Sequence, residues 1–359
     1  MSQPTHAPAT QRGAALLTAM VIVSLIATMA AAMVWQQWRA IQIEAAERAQ
    51  SQAQWILLGA LDWARLILRE DARDNVREGH GDHLGEPWAV PLADARLSTF
   101  LAADRDNSDD APDAFLQGRI TDLQSRYNLT NLVQRGKIVP VELDTLKRLC
   151  EIVGLSAQTA DRLAEAMQRA TPTSSAEVGE AVSGAASAAA SATATSATPV
   201  VTPSKAMTTE GNTPLLPPGI EQLGWLGLDA ASVSTLKPYV TLLPRATPLN
   251  LNTAAKEVIA AVVKGADLAS AERLVQARLL KPLKTLDDAR DTLGTNAALD
   301  PSRMGVASNY FEVLGALRTD DLIVAQRSLI ERNISTLEMR TLRTERVDPA
   351  SLQPQAAGR

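Results

Sequence analysis

From Ala14 to Trp35 the chain carries no charge, and only Thr18, Ser24 and Thr28 interrupt the apolar run. As a helix these residues rise roughly 33 Å, enough to cross a hydrocarbon core. Trp35 and Trp38 stand at the far end, where amphipathic rings favour a membrane interface, and Arg39 follows. No proline occurs between Trp38 and Pro87. Over that span Ala45, Ala49, Ala53, Ile56, Ala60, Trp63 and Ile67 recur at steps of three and four, while Arg39, Glu44, Glu47, Arg48 and Gln52 fall mainly off the stripe. The pattern predicts one helix from Ala14 to about Asp71. Its first half belongs in a membrane, and its second half lays the stripe on a small domain.

Beyond the helix the period changes. Residues 74–112 are polar and broken by Gly79, Gly81, Gly85, Pro87 and Pro91, with an edge strand expected around Trp88, Val90 and Leu92. Gln117 to Leu132 reads as a strand, and Val141 to Arg169 as a helical block. From Thr171 to about Thr213 the composition collapses to Ala, Ser and Thr, which leaves nothing large to bury and predicts a disordered loop. Short helices are expected around 220–225 and 230–237, then a second helical block that ends at Leu293. Alternation of Phe311, Val313 and Leu317, then Ile323 and Ala325, predicts closing strands, with another at Leu337–Met339. The tail from Asp348 looks loose.

The two helical blocks echo each other. Asn128-Leu-Thr-Asn131 precedes a segment with Gly154 and Asp161-Arg162-Leu163; Asn250-Leu-Asn-Thr253 precedes one with Gly265 and Glu272-Arg273-Leu274. This is a duplicated helical unit of sterile-alpha-motif-like type. The fold class is therefore α+β: a long N-terminal helix on a small antiparallel sheet, with a large inserted all-helical domain of two such units.

Composition narrows the function. The chain has 359 residues, a net charge of −5 and one cysteine. Nothing in that balance suits a polyanion partner, and Cys150 has no intrachain disulfide partner. Leu146, Leu149, Ile152 and Val153 surround it at helical spacing, which predicts a buried thiol. No nucleophile–histidine arrangement or phosphate loop points to an enzyme. Residues 62–113 hold 13 Asp/Glu against 6 Arg. Within them Asp104, Asp106, Ser108 and Asp110 have the spacing of a calcium loop. Asp109 stands where the loop's glycine belongs, and Phe115 where its bidentate glutamate belongs. Asp104, Asp106 and Asp110 remain a candidate calcium site, with a solvated acidic loop as the plainer reading. His80-Gly81-Asp82-His83 brings two imidazoles to one loop but, lacking Cys and a paired helix, makes a poor zinc motif.

The start of the apolar run separates three readings: a cleaved signal peptide with Ala30-Ala31-Ala32 as its small-residue site, a plain anchor, and a processed anchor. Arg12-Gly13-Ala14, a short basic leader ending in Gly before an apolar run, resembles the processing site of type IV pilin-like proteins. The resemblance implies cleavage between Gly13 and Ala14 and methylation of the new Ala14 N-terminus. Most such proteins carry Glu five residues after the cut; this chain has Thr18.

That N-terminus, the long helix, Asn128-Leu-Thr-Asn-Leu132, Asn250-Leu-Asn-Thr-Ala254 and Tyr310-Phe311 together resemble the K subunit of the type II secretion system, a minor pseudopilin. The resemblance covers nearly the whole chain. It implies a leader (1–13), a transmembrane helix (14–38), pseudopilin helix and first strands (39–132), an inserted helical domain (133–307, with the loop 171–213), closing strands (308–347) and a tail (348–359). It implies an inner-membrane protein with a cytoplasmic N-terminus and a periplasmic bulk. Implied partners are the I and J minor pseudopilins, the prepilin peptidase and the inner-membrane secretion platform. The implied role is at the pseudopilus tip, starting assembly for export of folded proteins.

A reading of another class stays open at this point. Asn250 to Arg278 also resembles a helix-hairpin-helix module, which would make the chain a membrane-anchored DNA-binding protein of an uptake or pilus machine. Its hairpin, Val263-Lys-Gly-Ala-Asp-Leu268, lacks the second glycine. Residues 246–300 hold 7 Lys/Arg and 7 Asp/Glu, so no nucleic acid is expected there.

Overall fold

The computed structural model describes residues 12–96, 114–171, 215–294, 296–319 and 322–349. The first element, α1, runs unbroken from Arg12–Glu78. At 1.5 Å per residue that is about 100 Å. It outlasts the expected end at Asp71 by two turns and stops where Gly79 takes φ +68. Among the described residues its membrane-length segment is exposed throughout, and its C-terminal third packs on a sheet.

The packing stripe is Ala53, Leu57, Leu61, Ala64, Leu68 and Ala72. The expected stripe was rotated from it. Ile56, Ala60 and Ile67 only flank the buried face, Trp63 is exposed, and Ala45 and Ala49 precede the sheet. The stretch from 53 to 68 is apolar nearly all round, so periodicity alone could not fix which side faces in.

The sheet has five antiparallel strands in the order β1-β2-β9-β10-β11. They are β1 (Leu92–Arg96), β2 (Phe115–Asp122), β9 (Tyr310–Arg318), β10 (Ile323–Asn333) and β11 (Glu338–Val347). Leu61, Ala64 and Leu68 meet Trp88, Phe311, Val313, Ile330 and Met339 beneath the helix, and Ala53 and Leu57 meet Leu116 and Leu317. Each fully buried leucine there is worth about 1.5–3 kcal/mol.

The strand expected over Gln117–Leu132 ends at Asp122. Two short 3-10 turns, Leu123–Ser125 and Leu129–Leu132, follow it. Tyr127, Leu129 and Leu132 already belong to the core of the helical domain. The insertion therefore starts just after β2, about ten residues before the expected boundary at Leu132, and ends before β9.

Within the insertion two units repeat the same devices. The first opens with β3 (Tyr127–Asn128) and closes with its parallel partner β6 (Val240–Thr241). The second opens with β7 (Leu249–Asn250) and closes with β8 (Met304–Gly305), again parallel. In each, the asparagine at the strand's end turns the chain. Asn128 Oδ1 accepts from Thr130 N (3.1 Å), and Asn250 Oδ1 accepts from Asn252 N (2.9 Å). In the first unit a small hairpin, β4 (Val133–Gln134) with β5 (Lys137–Ile138), leads into α2 (Pro140–Ile152) and α3 (Ala157–Ala170). A 3-10 segment, Ile220–Leu226, and α4 (Ala230–Leu236) complete it. The second carries α5 (Lys256–Val262), α6 (Leu268–Leu280) and α7 (Leu286–Leu293).

Gly154 (φ +84) turns α2 into α3, and Gly265 (φ +89) turns α5 into α6. A Cβ on Gly265 would lie 2.2 Å from Asn296 O, so that turn admits only glycine. The units share one apolar core. Arg303 Nε pairs with Glu142 Oε1 at 2.6 Å, which ties the second unit to α2. Cys150 lies in this core, and burial pushes its thiol up to about 11.

Candidate functional site: the anchor helix and the node at its end

Two features of α1 concern function. The first is its free surface. Among the described side chains, Leu16 to Met33 are exposed throughout, and this helix is long and apolar enough to cross a membrane. Gly13 and Ala14 lie in its first turn. Thr18 Oγ1 donates to Ala15 O at 2.9 Å, as Thr28 Oγ1 does to Leu25 O, so these hydroxyls are satisfied inside the helix. Arg39 lies over the Trp35 ring at 5.1 Å, where the apolar segment ends. Further on, opposite the sheet, Trp55 is 73% exposed and Leu58 and Leu66 are open beside it.

The second feature is a buried ionic node at the helix's end. Arg332, on β10, is enclosed. It donates from Nη1 to Asp71 Oδ2 (2.8 Å), from Nη2 to Asp82 Oδ1, and from Nη2 to Ser308 O (2.7 Å), and it lies over Phe311. Asp82 Oδ2 accepts from Ser308 N at 2.6 Å. One step further, Asp122 Oδ2 accepts from Thr253 Oγ1 (2.5 Å), Ser308 Oγ (2.7 Å) and Asn250 Nδ2 (3.1 Å). A chain of buried polar groups thus links α1, the sheet and the second helical unit.

Burial pushes Asp71 up to about 8, helped by Glu86 and Asp82 and opposed by Arg332. Asp122 rises to about 6, again through burial, although its hydroxyl partners pull it down. A raised carboxylate binds its proton more tightly folded than unfolded. Its contribution to stability is whole below the unfolded value of 3.8 and fades as pH rises through about 6. For Asp122 the loss amounts to about 3 kcal/mol. The thermal midpoint of the full chain should therefore fall by roughly 2–3 °C between pH 4.5 and 7. Asp122→Asn should flatten that slope, and a midpoint that rises over this window contradicts the assignment.

Beside the node the loop gathers His80, His83 and Glu86. The sequence reading placed the two histidines together but missed Glu86, which continues their spacing of three, and missed Arg332. The candidate calcium residues Asp104, Asp106 and Asp110 lie outside the described residues, as does most of the Ala/Ser/Thr segment.

A single long helix, apolar and free at its start and laid on an antiparallel sheet at its end, defines a pilin-like filament subunit. Comparison with known proteins is specific within that class. Two models of the family described as type II secretion system (T2SS), protein K, match residues 125–245 and 249–307, together half of the chain. The type II secretion system protein K of Pseudomonas aeruginosa is 28% identical over 322 residues, covering 87% of this chain and 86% of that one. That of Klebsiella pneumoniae is 31% identical over 162 residues, 44% of each chain. Among solved structures, the crystal structure of the GspK-GspI-GspJ complex from the enterotoxigenic Escherichia coli type 2 secretion system contains a similar chain. It matches with TM-score 0.56 and 17% identity, over 84% of this chain and 98% of that chain. The chain belongs to the type II secretion system protein K family and is a minor pseudopilin.

The DNA-binding reading is not favoured. Residues 249–307 match the protein K family. Arg278, at the end of that helix-hairpin-helix-like stretch, is buried and donates to Leu251 O at 2.5 Å, and Lys256 is paired with Glu272 at 2.6 Å.

Proposed function

We propose that this minor pseudopilin sits at the tip of the pseudopilus with the I and J subunits and starts its assembly for export of folded proteins. The observation that carries the reading is the insertion: a helical domain larger than the sheet it interrupts, which would block another subunit from stacking beyond it. The exposed apolar side of α1, from Leu16 to Met33 and again at Trp55, Leu58 and Leu66, is the surface that neighbouring helices would cover. The solved relative in complex with GspI and GspJ supports the same partners here. The chain is anchored in the inner membrane with its bulk in the periplasm, after cleavage between Gly13 and Ala14 by the prepilin peptidase, and it acts on the secretion platform without chemistry of its own.

The direct test is co-purification of the full chain with the I and J subunits of its own organism, followed by the intact mass of the membrane-extracted protein. A ternary complex and a chain that starts at methylated Ala14 are expected. An uncut chain, or one that starts near Ala31 to Met33, overturns the reading.

Thr18 supplies a second test. In pilin-like neighbours a Glu at this position answers another subunit's N-terminal ammonium inside an apolar core, where an unpaired charge is costly. A tip subunit has no later arrival above it and does without that carboxylate. Thr18→Glu should be processed normally but assemble less well; unchanged tip formation and secretion would sink this account of Thr18.

A further inference from the structure

We propose that His80, Glu86 and His83 form a binding site for one divalent transition-metal ion of the zinc class. Glu86 is 5% exposed, and only half of its carboxylate is used. Oε2 accepts from His83 N (3.0 Å) and Trp88 Nε1 (2.6 Å); Oε1 is buried and has no hydrogen-bond partner. It lies 3.8 Å from His80 Nδ1 and 4.0 Å from His83 Nε2. His80 Nδ1 is likewise buried and unpartnered.

The tautomer of His80 follows from its other nitrogen. Nε2 faces Glu78 Oε2 at 3.2 Å, and a carboxylate needs a donor, so Nε2 carries the proton. Nδ1 is left as a bare lone pair aimed at a second bare lone pair, Glu86 Oε1. Two enclosed acceptors at this distance call for a cation between them. A carboxylate behind one imidazole nitrogen, with the other nitrogen free, is the outer-shell arrangement that orients metal-ligating histidines.

The three ligand atoms lie within 4.8 Å of one another. Around a tetrahedral zinc with bonds of about 2.0–2.1 Å, ligand atoms sit about 3.3 Å apart, so binding asks for a contraction of well under 2 Å. His83 must turn for this, because its Nδ1 accepts from Gly85 N at 3.1 Å; that bond is exposed and passes readily to water. The field is also right. Asp71 and Asp82 crowd Glu86, and Arg332 pairs with Asp71 and Asp82. Imidazole with carboxylate suits zinc and its neighbours and is a poor set for calcium, so this site is distinct in chemistry from the acidic candidate at Asp104.

The experiment uses the full chain in detergent, stripped with a chelator and titrated with Co2+ while the visible d–d absorption is followed. One equivalent should bind, and Zn2+ should displace it, while excess Ca2+ should not. His80→Gln and Glu86→Gln should abolish the band. Glu78→Gln touches only an exposed outer-shell partner, so the fold is safe, and it should weaken binding by about 10–100-fold. His6→Gln, at the remaining histidine, should change nothing. No band in the native chain overturns the proposal. A band that survives His80→Gln, or one unmoved by Glu78→Gln, overturns it as well.

Discussion

Arg332→Met should destabilise the protein by about 3–5 kcal/mol, the usual cost of removing one partner from a buried ion pair. Met keeps the apolar stem and the volume, so the loss is electrostatic. Asp71 and Asp82 would face each other with no cation between them, and Ser308 O would lose its donor. Burial has already driven Asp71 up toward neutrality with Arg332 in place. The midpoint of urea unfolding of the full chain is the measurement. Arg245→Met, which removes an exposed guanidinium from Glu331, should barely move the midpoint. If the two arginine variants unfold alike, the node is not a stabilising element.

Gly81→Ala should be nearly as damaging, for a steric reason. A Cβ at Gly81 would lie 2.1 Å from Val306 O, a backbone atom that cannot swing aside. The loop would have to lift from the end of the second helical unit, and Asp82, its next residue, would leave Ser308 N and Arg332. Overpacking of this kind costs about 1–3 kcal/mol, and the coupled loss of the Asp82 contacts places this case at the upper end. Hydrogen exchange should quicken in residues 304–309 before the rest of the helical domain responds. Gly59→Ala, where nothing lies within 4 Å of the new methyl, should instead stabilise by up to about 1 kcal/mol. A neutral Gly81→Ala would mean that the loop and Val306 do not touch in solution.

Much of this architecture was readable in advance. The uncharged run from Ala14 marked the membrane-length start of α1, the absence of proline made it one continuous helix, and the echo of Asn128 in Asn250 revealed the repeat. Those signals are local. What the sequence hid depends on contacts far along the chain. The stripe on α1 was misphased because apolar residues surround that helix on every side, and only the sheet decides which are buried. Residues 123–132 looked like the continuation of a strand, yet Tyr127, Leu129 and Leu132 are claimed by the helical core. Arg332 left a faint signature: Ser328, Ile330 and Arg332 alternate inward along β10, so a charge falls on the buried face. Nothing in the sequence could say that Asp71 and Asp82 wait there. Glu86, beside the two histidines, was counted only among the acidic residues.

The order of the strands also sets a schedule. β2 pairs along its length with β9, Phe115 opposite Arg318 and Asp122 opposite Phe311, although a whole domain separates them in the chain. An emerging polypeptide can complete its helical insert but not its sheet until β9, β10 and β11 arrive. Until then β2 presents an open edge with only β1 beside it, and the Ala53–Ala72 stripe has almost nothing to cover it. Closure over so long a separation is slow compared with local helix formation. Until the sheet closes, the open edge of β2 and the uncovered stripe would be vulnerable to proteases and to wrong strand partners. Only a chain translated through Val347 can complete the five-stranded sheet over that stripe.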